Sequence, residues 1–227
     1  MTKKYVVTVD GPAGSGKSTV GRLLAKRLSY VYLDTGALYR AMALKVRMAS
    51  VSPDSREKIA ILCRSTEIAL RECDGTARIL LDGEDVTERI RTPEISMLAS
   101  TISALPEVRA SLLSVQRDSV RDGGVVAEGR DMGTVVFPGA DVKFFLTASA
   151  GERGRRRWQE LKDRGHEVSL EEVLKDVVQR DRQDSERELA PLRPSDDGVL
   201  IDSTGKNIDE VVEEMLGAVR GKSSKAL

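Results

Sequence analysis

Histidine and cysteine are nearly absent from this sequence of 227 residues. It contains one histidine, His166, and two cysteines, Cys63 and Cys73. Zinc clusters, disulfide frameworks and Cys/His nucleophile pairs all need these residue types in combination. The sequence therefore nearly excludes these three classes of site, and its chemistry must depend on other side chains.

Net charge and long apolar runs are also lacking. The 36 basic residues balance 36 acidic ones, which argues against a protein that binds nucleic acid through general positive charge. No run of 18 or more apolar residues occurs, so no membrane-spanning helix is predicted. The first residues lead into an apolar segment without a signal-peptide pattern. We therefore expect a cytoplasmic protein without a membrane or nucleic-acid partner.

The sequence does contain enough apolar residues for a sizeable core, at 40%, and an excess of arginine. Its length suits one domain with an insertion. The basic residues comprise 24 arginines and 12 lysines. Because the planar guanidinium binds carboxylates and phosphates through two bonds at once, this excess hints at an anionic ligand.

Short β-branched runs alternate with helical patterns along much of the chain. Strands are predicted at residues 5–9, 30–33, 125–127, 142–147 and 199–201, and residues 18–28 and 36–48 have the apolar spacing of helices. This alternation predicts an α/β fold of three layers with a parallel core sheet.

The middle of the chain departs from this pattern. Residues 67–71, 78–81 and 84–86 are short strand-like pieces around Asp74-Gly75 and Asp82-Gly83, which predicts a small antiparallel sheet. Pro93 and Pro106 stand where first helical turns would begin, so helices are predicted over 94–103 and 107–121. We predict an insert at 65–105 within a core domain of residues 1–64 and 106–227.

The segment Gly11-x-x-x-x-Gly16-Lys17-Ser18 fits the phosphate-loop pattern and lies between a predicted strand and a predicted helix. In such a loop, backbone N–H groups surround phosphate oxygens at the positive end of the helix. We expect Lys17 to reach the β- and γ-phosphates and the Ser18 hydroxyl to ligate Mg²⁺. The predicted ATP-binding residues are Gly11, Pro12, Ala13, Gly14, Ser15, Gly16, Lys17, Ser18 and Thr19.

A phosphate loop does not reveal how the nucleotide is used. The N-K-x-D motif with which GTPases recognise guanine is absent, and the D-x-x-G match at Asp202 lies at the end of the last strand instead of after the first helix. A compact phosphotransferase is therefore favoured over a switch GTPase.

Arginines recur after two further strands, where open parallel sheets bind ligands. Arg40 follows the second strand, with Thr35 as the predicted helix N-cap, and Arg130 and Asp131 follow the strand at 125–127. Each segment alone could instead be a solvated arginine or a local ion pair.

A late helix carries a similar group. The apolar stripe comprises Leu170, Val173, Leu174, Val177 and Val178, and one flank comprises Arg180, Asp184 and Arg187. The flank could face a ligand or simply support the helix through i, i+4 pairs.

The segment 152–164 has six basic and three acidic residues, with Trp158 among them. It could bind nucleic acid. It could also form a lid over a polyphosphate, with Gly165-His166 as the hinge.

Four segments in order resemble the bacterial cytidylate kinases: DGPAGSGKST, LDTGALYR, GRDMGTVVFPGADVKFFLTAS and RDRQDSERELAPL. The resemblance extends over residues 5 to about 217. It implies a P-loop NTPase-type nucleoside monophosphate kinase fold: a parallel core sheet, a monophosphate-binding insert containing a small antiparallel sheet, and a short lid at about 151–168.

The resemblance also implies an activity and residue roles. The activity is ATP-dependent phosphorylation of CMP and dCMP, with Mg²⁺, in pyrimidine nucleotide metabolism, and we expect a monomer. The CMP phosphate would be bound by Thr35, Arg40, Arg130 and Arg187, the ribose by Arg180 and Asp184, and the cytosine by Ser100, Arg109 and Asp131. The catalytic residues would be Lys17, Arg130, Arg187 and two lid arginines, Arg153 and Arg157.

Two alternatives stay open. One is a phosphate-loop kinase with a different small-molecule acceptor. The other is an ATP-dependent nucleic-acid-binding module that uses the basic helix around 153–164.

Overall fold

The structure is a computed structural model that describes residues 4–73, 76–118, 120 and 123–224. The strands are β1 (Val6–Asp10), β2 (Val31–Asp34), β3 (Ile68–Cys73), β4 (Thr76–Leu81), β5 (Glu84–Asp85), β6 (Val125–Gly129), β7 (Val142–Thr147) and β8 (Val199–Asp202). The helices are α1 (Lys17–Leu28), α2 (Thr35–Met48), α3 (Arg56–Ser65), α4 (Pro93–Ile102), α5 (Pro106–Asp118), α6 (Ala150–Asp163), α7 (Leu170–Glu186) and α8 (Ile208–Ser224). A π-helical turn covers Met132–Val136.

The chain divides into two compact units. The first comprises residues 1–32, 122–186 and 191–227, and the second comprises residues 33–121 and 187–190. The second unit is larger than the insert predicted at 65–105, because it also takes in α2, α3 and α5. The division into insert and core domain at the predicted bounds stays a prediction, as does a lid at about 151–168.

The five-stranded core sheet has the order β2-β6-β1-β7-β8, and the β1–β6, β1–β7 and β7–β8 pairs are parallel. Val7 and Val9 of β1 belong to a buried cluster with Val20 and Leu24 of α1 and with several residues of α8. Because side chains alternate along a strand, Thr8 and Asp10 point to the opposite face, where the π-helical turn contacts β1. The predicted α/β architecture with a parallel core sheet is confirmed.

The second unit has its own core, built from α2–α5 and the antiparallel sheet β3-β4-β5. Leu38, Met42, Ile59 and Ile102 are among its fully buried side chains. Pro93 opens α4 and Pro106 opens α5, as predicted. The small antiparallel sheet is confirmed, although the turn predicted at Asp74-Gly75 lies outside the described residues, as does the predicted end of α5 at Arg121.

Two local predictions are wrong. The N-cap of α2 is Asp34, not Thr35, since the Asp34 carboxylate accepts a hydrogen bond from the Ala37 N–H and Thr35 is the first helical residue. Val178 does not join the apolar stripe of α7, because 55% of it is exposed while Val173 and Val177 are buried against α6. In the described part of the chain, no helix is both long and apolar enough to cross a membrane.

Candidate active site

The phosphate loop connects β1 to α1 within the first unit. Gly16 is the N-cap of α1 with φ of 90°, a left-handed conformation that favours glycine. Among the described residues, no side chain caps this helix start. The first N–H groups of α1 are therefore available to an anion at the positive end of the helix.

Lys17 is the one cationic side chain carried by the loop. It is buried, and its Nζ donates a hydrogen bond to the Pro12 carbonyl at 2.8 Å. Burial and the nearby Arg130 guanidinium lower the pKa of Lys17 to about 7. A bound polyphosphate would favour the charged form, so Lys17 is well placed to respond to an anion in the loop.

The Ser18 hydroxyl donates a hydrogen bond to Glu128 Oε1 at 2.8 Å. Glu128 is buried at the end of β6. A hydroxyl and a carboxylate are the hard oxygen ligands that Mg²⁺ prefers, so these two side chains fit a divalent cation. No group of three or more acidic, histidine or cysteine side chains that could hold a metal occurs among the described residues, so any such ion would need oxygens from the nucleotide and water.

Asp10 ends β1 just before the loop and is buried on the face opposite α1. Its two carboxylate oxygens accept hydrogen bonds from the N–H groups of Met132 and Gly133, both at 2.8 Å. Burial raises the pKa of Asp10 to about 6 although these bonds lower it. Asp10 thus fixes the turn that follows Arg130 and Asp131.

Arg130 forms an ion pair with Asp184, which lies 54 residues later in the sequence. Arg130 Nε donates to Asp184 Oδ2 at 2.7 Å, and only 5% of the Asp184 side chain is exposed. The structure therefore brings together two predicted site residues, one directly after β6 and one on α7. Asp131 is buried at the start of the π-helical turn, and Arg180 is half-buried on α7.

The arginines of α6 are directed mainly at the protein itself. Arg153 is buried and donates to the Ala13 carbonyl at 3.0 Å, and Arg156 donates to Ser203 Oγ at 3.0 Å. Arg157 pairs with Glu160 at 2.7 Å on the same helix.

In the second unit, predicted acceptor residues converge on Ser103. Arg187 Nη1 donates to Ser103 Oγ at 3.2 Å, and Arg109 Nη1 donates to the Ser103 carbonyl at 3.3 Å. The Ser103 hydroxyl itself donates to the Ser100 carbonyl at 2.8 Å. Arg40 lies beside the start of α2, where it pairs with Asp34 at 2.9 Å. Ser100, Arg109 and Arg187 thus lie around Ser103, whereas Thr35 and Arg40 lie in the first turns of α2.

Sequence reasoning missed Asp10, Ser103, Glu128 and Asp181. Asp10 and Glu128 carried a usable signal, since both are acidic residues at the carboxyl ends of strands, the edge at which parallel sheets bind ligands. Ser103 and Asp181 carried none beyond their polarity.

Comparison with known sequences identifies the family. Residues 7–221 match the family described as Cytidylate kinase. The chain belongs to the cytidylate kinase family. A cytidylate kinase of Geobacter sulfurreducens is 55% identical over 215 residues, which cover 95% of this chain and 92% of that protein. A cytidylate kinase of Syntrophotalea carbinolica is 52% identical over 219 residues, covering 96% and 93%. The family predicted from the four segments is confirmed.

Solved structures agree on the fold of this cytidylate kinase family member. A gluconokinase from Sinorhizobium meliloti covers 98% of this chain and 95% of its own, with a TM-score of 0.51 and 16% identity. At that identity the likeness concerns the fold alone.

Proposed function

We propose that this chain transfers the γ-phosphoryl group of ATP to CMP, and also to dCMP, giving ADP with CDP or dCDP. The observation that carries the proposal is the phosphate loop with buried Lys17 and the Ser18–Glu128 pair, in a chain that matches cytidylate kinases over residues 7–221. Both named relatives are cytidylate kinases.

On the donor side, the loop N–H groups and Lys17 bind the ATP phosphates. Lys17 can bridge β- and γ-oxygens from its buried position, and the positive end of α1 adds a fixed dipole. Ser18 and Glu128 would hold Mg²⁺. When bound, the ion neutralises charge on the phosphate oxygens.

On the acceptor side, we assign the CMP phosphate to Thr35, Arg40, Arg130 and Arg187, the ribose to Arg180 and Asp184, and the cytosine to Ser100, Arg109 and Asp131. Two features support these assignments. Arg109, Arg187 and Ser100 are linked through Ser103, and Arg130 contacts Asp184 directly.

The chemistry needs no general base. A phosphate oxygen of CMP attacks the γ-phosphorus, a new P–O bond forms, and the bond from the γ-phosphorus to its bridging oxygen breaks. ADP leaves with the electron pair of that bond. The nucleophile is already anionic, which suits a sequence with one histidine. Positioning and the charges of Lys17 and the arginines supply the catalysis.

Asp131 explains a preference for cytosine. A buried carboxylate accepts a hydrogen bond from the cytosine amino group, whereas uracil presents a carbonyl oxygen at that position. Two facing acceptors should disfavour UMP by about 1–3 kcal/mol.

The test is ADP formation from ATP and Mg²⁺ with CMP, dCMP, UMP, AMP or shikimate as the acceptor. We expect turnover with CMP and dCMP to exceed that with the others, and Lys17→Met to abolish it while the circular dichroism spectrum stays unchanged. Fastest turnover with a non-cytidine acceptor would refute the proposal.

A second measurement tests how the base is recognised. Asp131→Ala should lower kcat/KM for CMP far more than it weakens ATP binding, and Asp196→Ala, at an exposed position, is the matched control. Equal losses for both substrates would contradict a role in base recognition.

A further inference from the structure

The start of α6 lies directly on the phosphate loop. A Cβ on Gly14 would stand 2.6 Å from the Arg153 carbonyl oxygen and 3.0 Å from Arg153 Cβ. Such distances leave no space for a side chain, so the loop is packed against the helix backbone at this point. The position of α6 therefore bears directly on the shape of the loop.

The Arg153 guanidinium is occupied by protein groups on three sides. Nε donates to the Ala148 carbonyl at 2.9 Å, Nη1 to the Ala13 carbonyl at 3.0 Å, and Nη2 lies 2.6 Å from Asp181 Oδ2. Only 7% of the side chain is exposed. Arg153 is therefore built into the structure, which is unlike the extended arginine expected of a lid.

The hydrogen bond from Arg153 to the Ala13 carbonyl supports the loop conformation that binds an anion. A loop that turns its N–H groups toward a phosphate turns carbonyl groups away from it, and those carbonyls need donors when they are buried. Arg153 supplies a charged donor to Ala13. Arg156 follows Arg153 by about one turn of α6. It donates to Ser203 Oγ at 3.0 Å and to the Ser203 carbonyl at 2.9 Å. Ser203 Oγ in turn lies 3.3 Å from the Ser15 carbonyl.

Asp181 of α7 provides the carboxylate that faces the Arg153 guanidinium. A buried guanidinium without a counter-charge is strongly destabilising, and Asp181 supplies that counter-charge at 2.6 Å. Asp181 reaches the loop through Arg153, because its carboxylate contacts the guanidinium that donates to the Ala13 carbonyl.

We propose that Arg153 is a positioning residue for the phosphate loop, held by Asp181, and does not contact the transferred phosphoryl group. This rests on the proposed function in one respect, that ATP is the ligand of the loop. It replaces the lid role that the resemblance implies for Arg153 and leaves Arg157 as the lid arginine of the pair.

The experiment is calorimetric titration of ATP with Mg²⁺, without any acceptor, into the full-length protein and its variants. Arg153→Met and Asp181→Asn should each weaken ATP binding by about tenfold, which corresponds to the loss of one charge-assisted hydrogen bond. The double variant should bind ATP no more weakly than Arg153→Met, because Asp181 acts through Arg153. Arg155→Met is the control, since Arg155 is on the same helix with 68% of its side chain exposed.

Turnover separates positioning from catalysis. We expect the variants to raise KM for ATP and to keep most of kcat at saturating ATP. A loss confined to kcat, with unchanged ATP affinity and no effect of Asp181→Asn, would show that Arg153 contacts the reacting group and would overturn the proposal.

A purely structural role gives another result that would overturn it: lower melting temperatures with unchanged ATP affinity of the folded protein. If Arg153→Met does not fold, Arg153→Lys and Asp181→Asn carry the same comparison, because Lys keeps the charge but loses the forked donors. ATP titration needs no acceptor. A wrong acceptor in the proposed function would therefore leave this test intact.

Discussion

Asp10 should make the folded protein less stable as the pH rises from about 4 to about 6. Burial raises its pKa from 3.8 to about 6 in the folded state. Between these values the unfolded chain has lost the proton that the folded chain still holds. The stabilisation is therefore greatest below the unfolded pKa, falls as the pH rises between the two values, and is lost above the folded pKa. The shift corresponds to about 3 kcal/mol, since one pKa unit is about 1.4 kcal/mol.

Asp10→Asn isolates this effect, because the amide has nearly the shape of the neutral acid and does not ionise. Urea unfolding of parent and variant at several pH values between 4 and 8 gives the free energy of unfolding of each. The parent's value minus the variant's should decrease by about 2.4 kcal/mol between pH 4 and pH 7.

Asp197→Asn provides a control of opposite sign. The hydrogen bond from Lys143 lowers the pKa of the exposed Asp197, so its contribution is present above the unfolded pKa and is lost as the pH falls. A parent–Asp10→Asn difference that stays constant from pH 4 to pH 7 would refute the argument. The hydrogen bonds from the Met132 and Gly133 N–H groups would then offset the effect of burial on the pKa of Asp10.

Three further predictions concern binding and turnover. The pKa of Lys17 is about 7 in the protein without ATP, so ATP binding at pH 8 should take up about 0.9 proton. Calorimetry in buffers of different ionisation enthalpy measures this uptake. Equal uptake by the Lys17→Met variant would contradict the prediction. Glu128→Gln should raise the Mg²⁺ concentration for half-maximal turnover by about tenfold, because a carboxylate binds the ion more tightly than an amide; an unchanged Mg²⁺ titration would exclude Glu128 from the metal site. Ser103→Ala should raise KM for CMP by about 3–10-fold, the effect of a lost hydrogen bond, with KM for ATP unchanged; a change in the ATP value alone would contradict the acceptor role of the Arg109–Arg187 cluster.

The parts of the fold that depend on local pattern were predictable from the sequence. The five strands of the core sheet are short, mainly apolar segments that contain β-branched residues. The phosphate loop is a contiguous motif, and its Gly16 has the left-handed conformation that favours glycine. Pro93 and Pro106 marked helix starts because proline suits the first turn.

Side-chain pairing across the fold was not predictable in this way. Ser18 and Glu128 are 110 residues apart, and Arg153 and Ala13 are 140 apart. Their contacts depend on the parallel register of β1 with β6 and on how α6 packs. The Arg130–Asp184 ion pair joins residues 54 apart, and neither side chain's local pattern indicates its partner.

Asp181 and Asp184 lie one turn apart on α7 and bind two arginines that have different tasks in the proposed reaction. Asp184 holds Arg130, which we assign to the acceptor phosphate, and Asp181 holds Arg153, which supports the donor loop. An anionic acceptor would compete with Asp184 for Arg130 and weaken that ion pair. The Asp181–Arg153 contact does not involve the acceptor, so α7 can stay fixed to the phosphate loop while Arg130 changes partners. The proposed reaction thus assigns one ion pair of α7 to each substrate, Asp184–Arg130 to the acceptor and Asp181–Arg153 to the ATP loop.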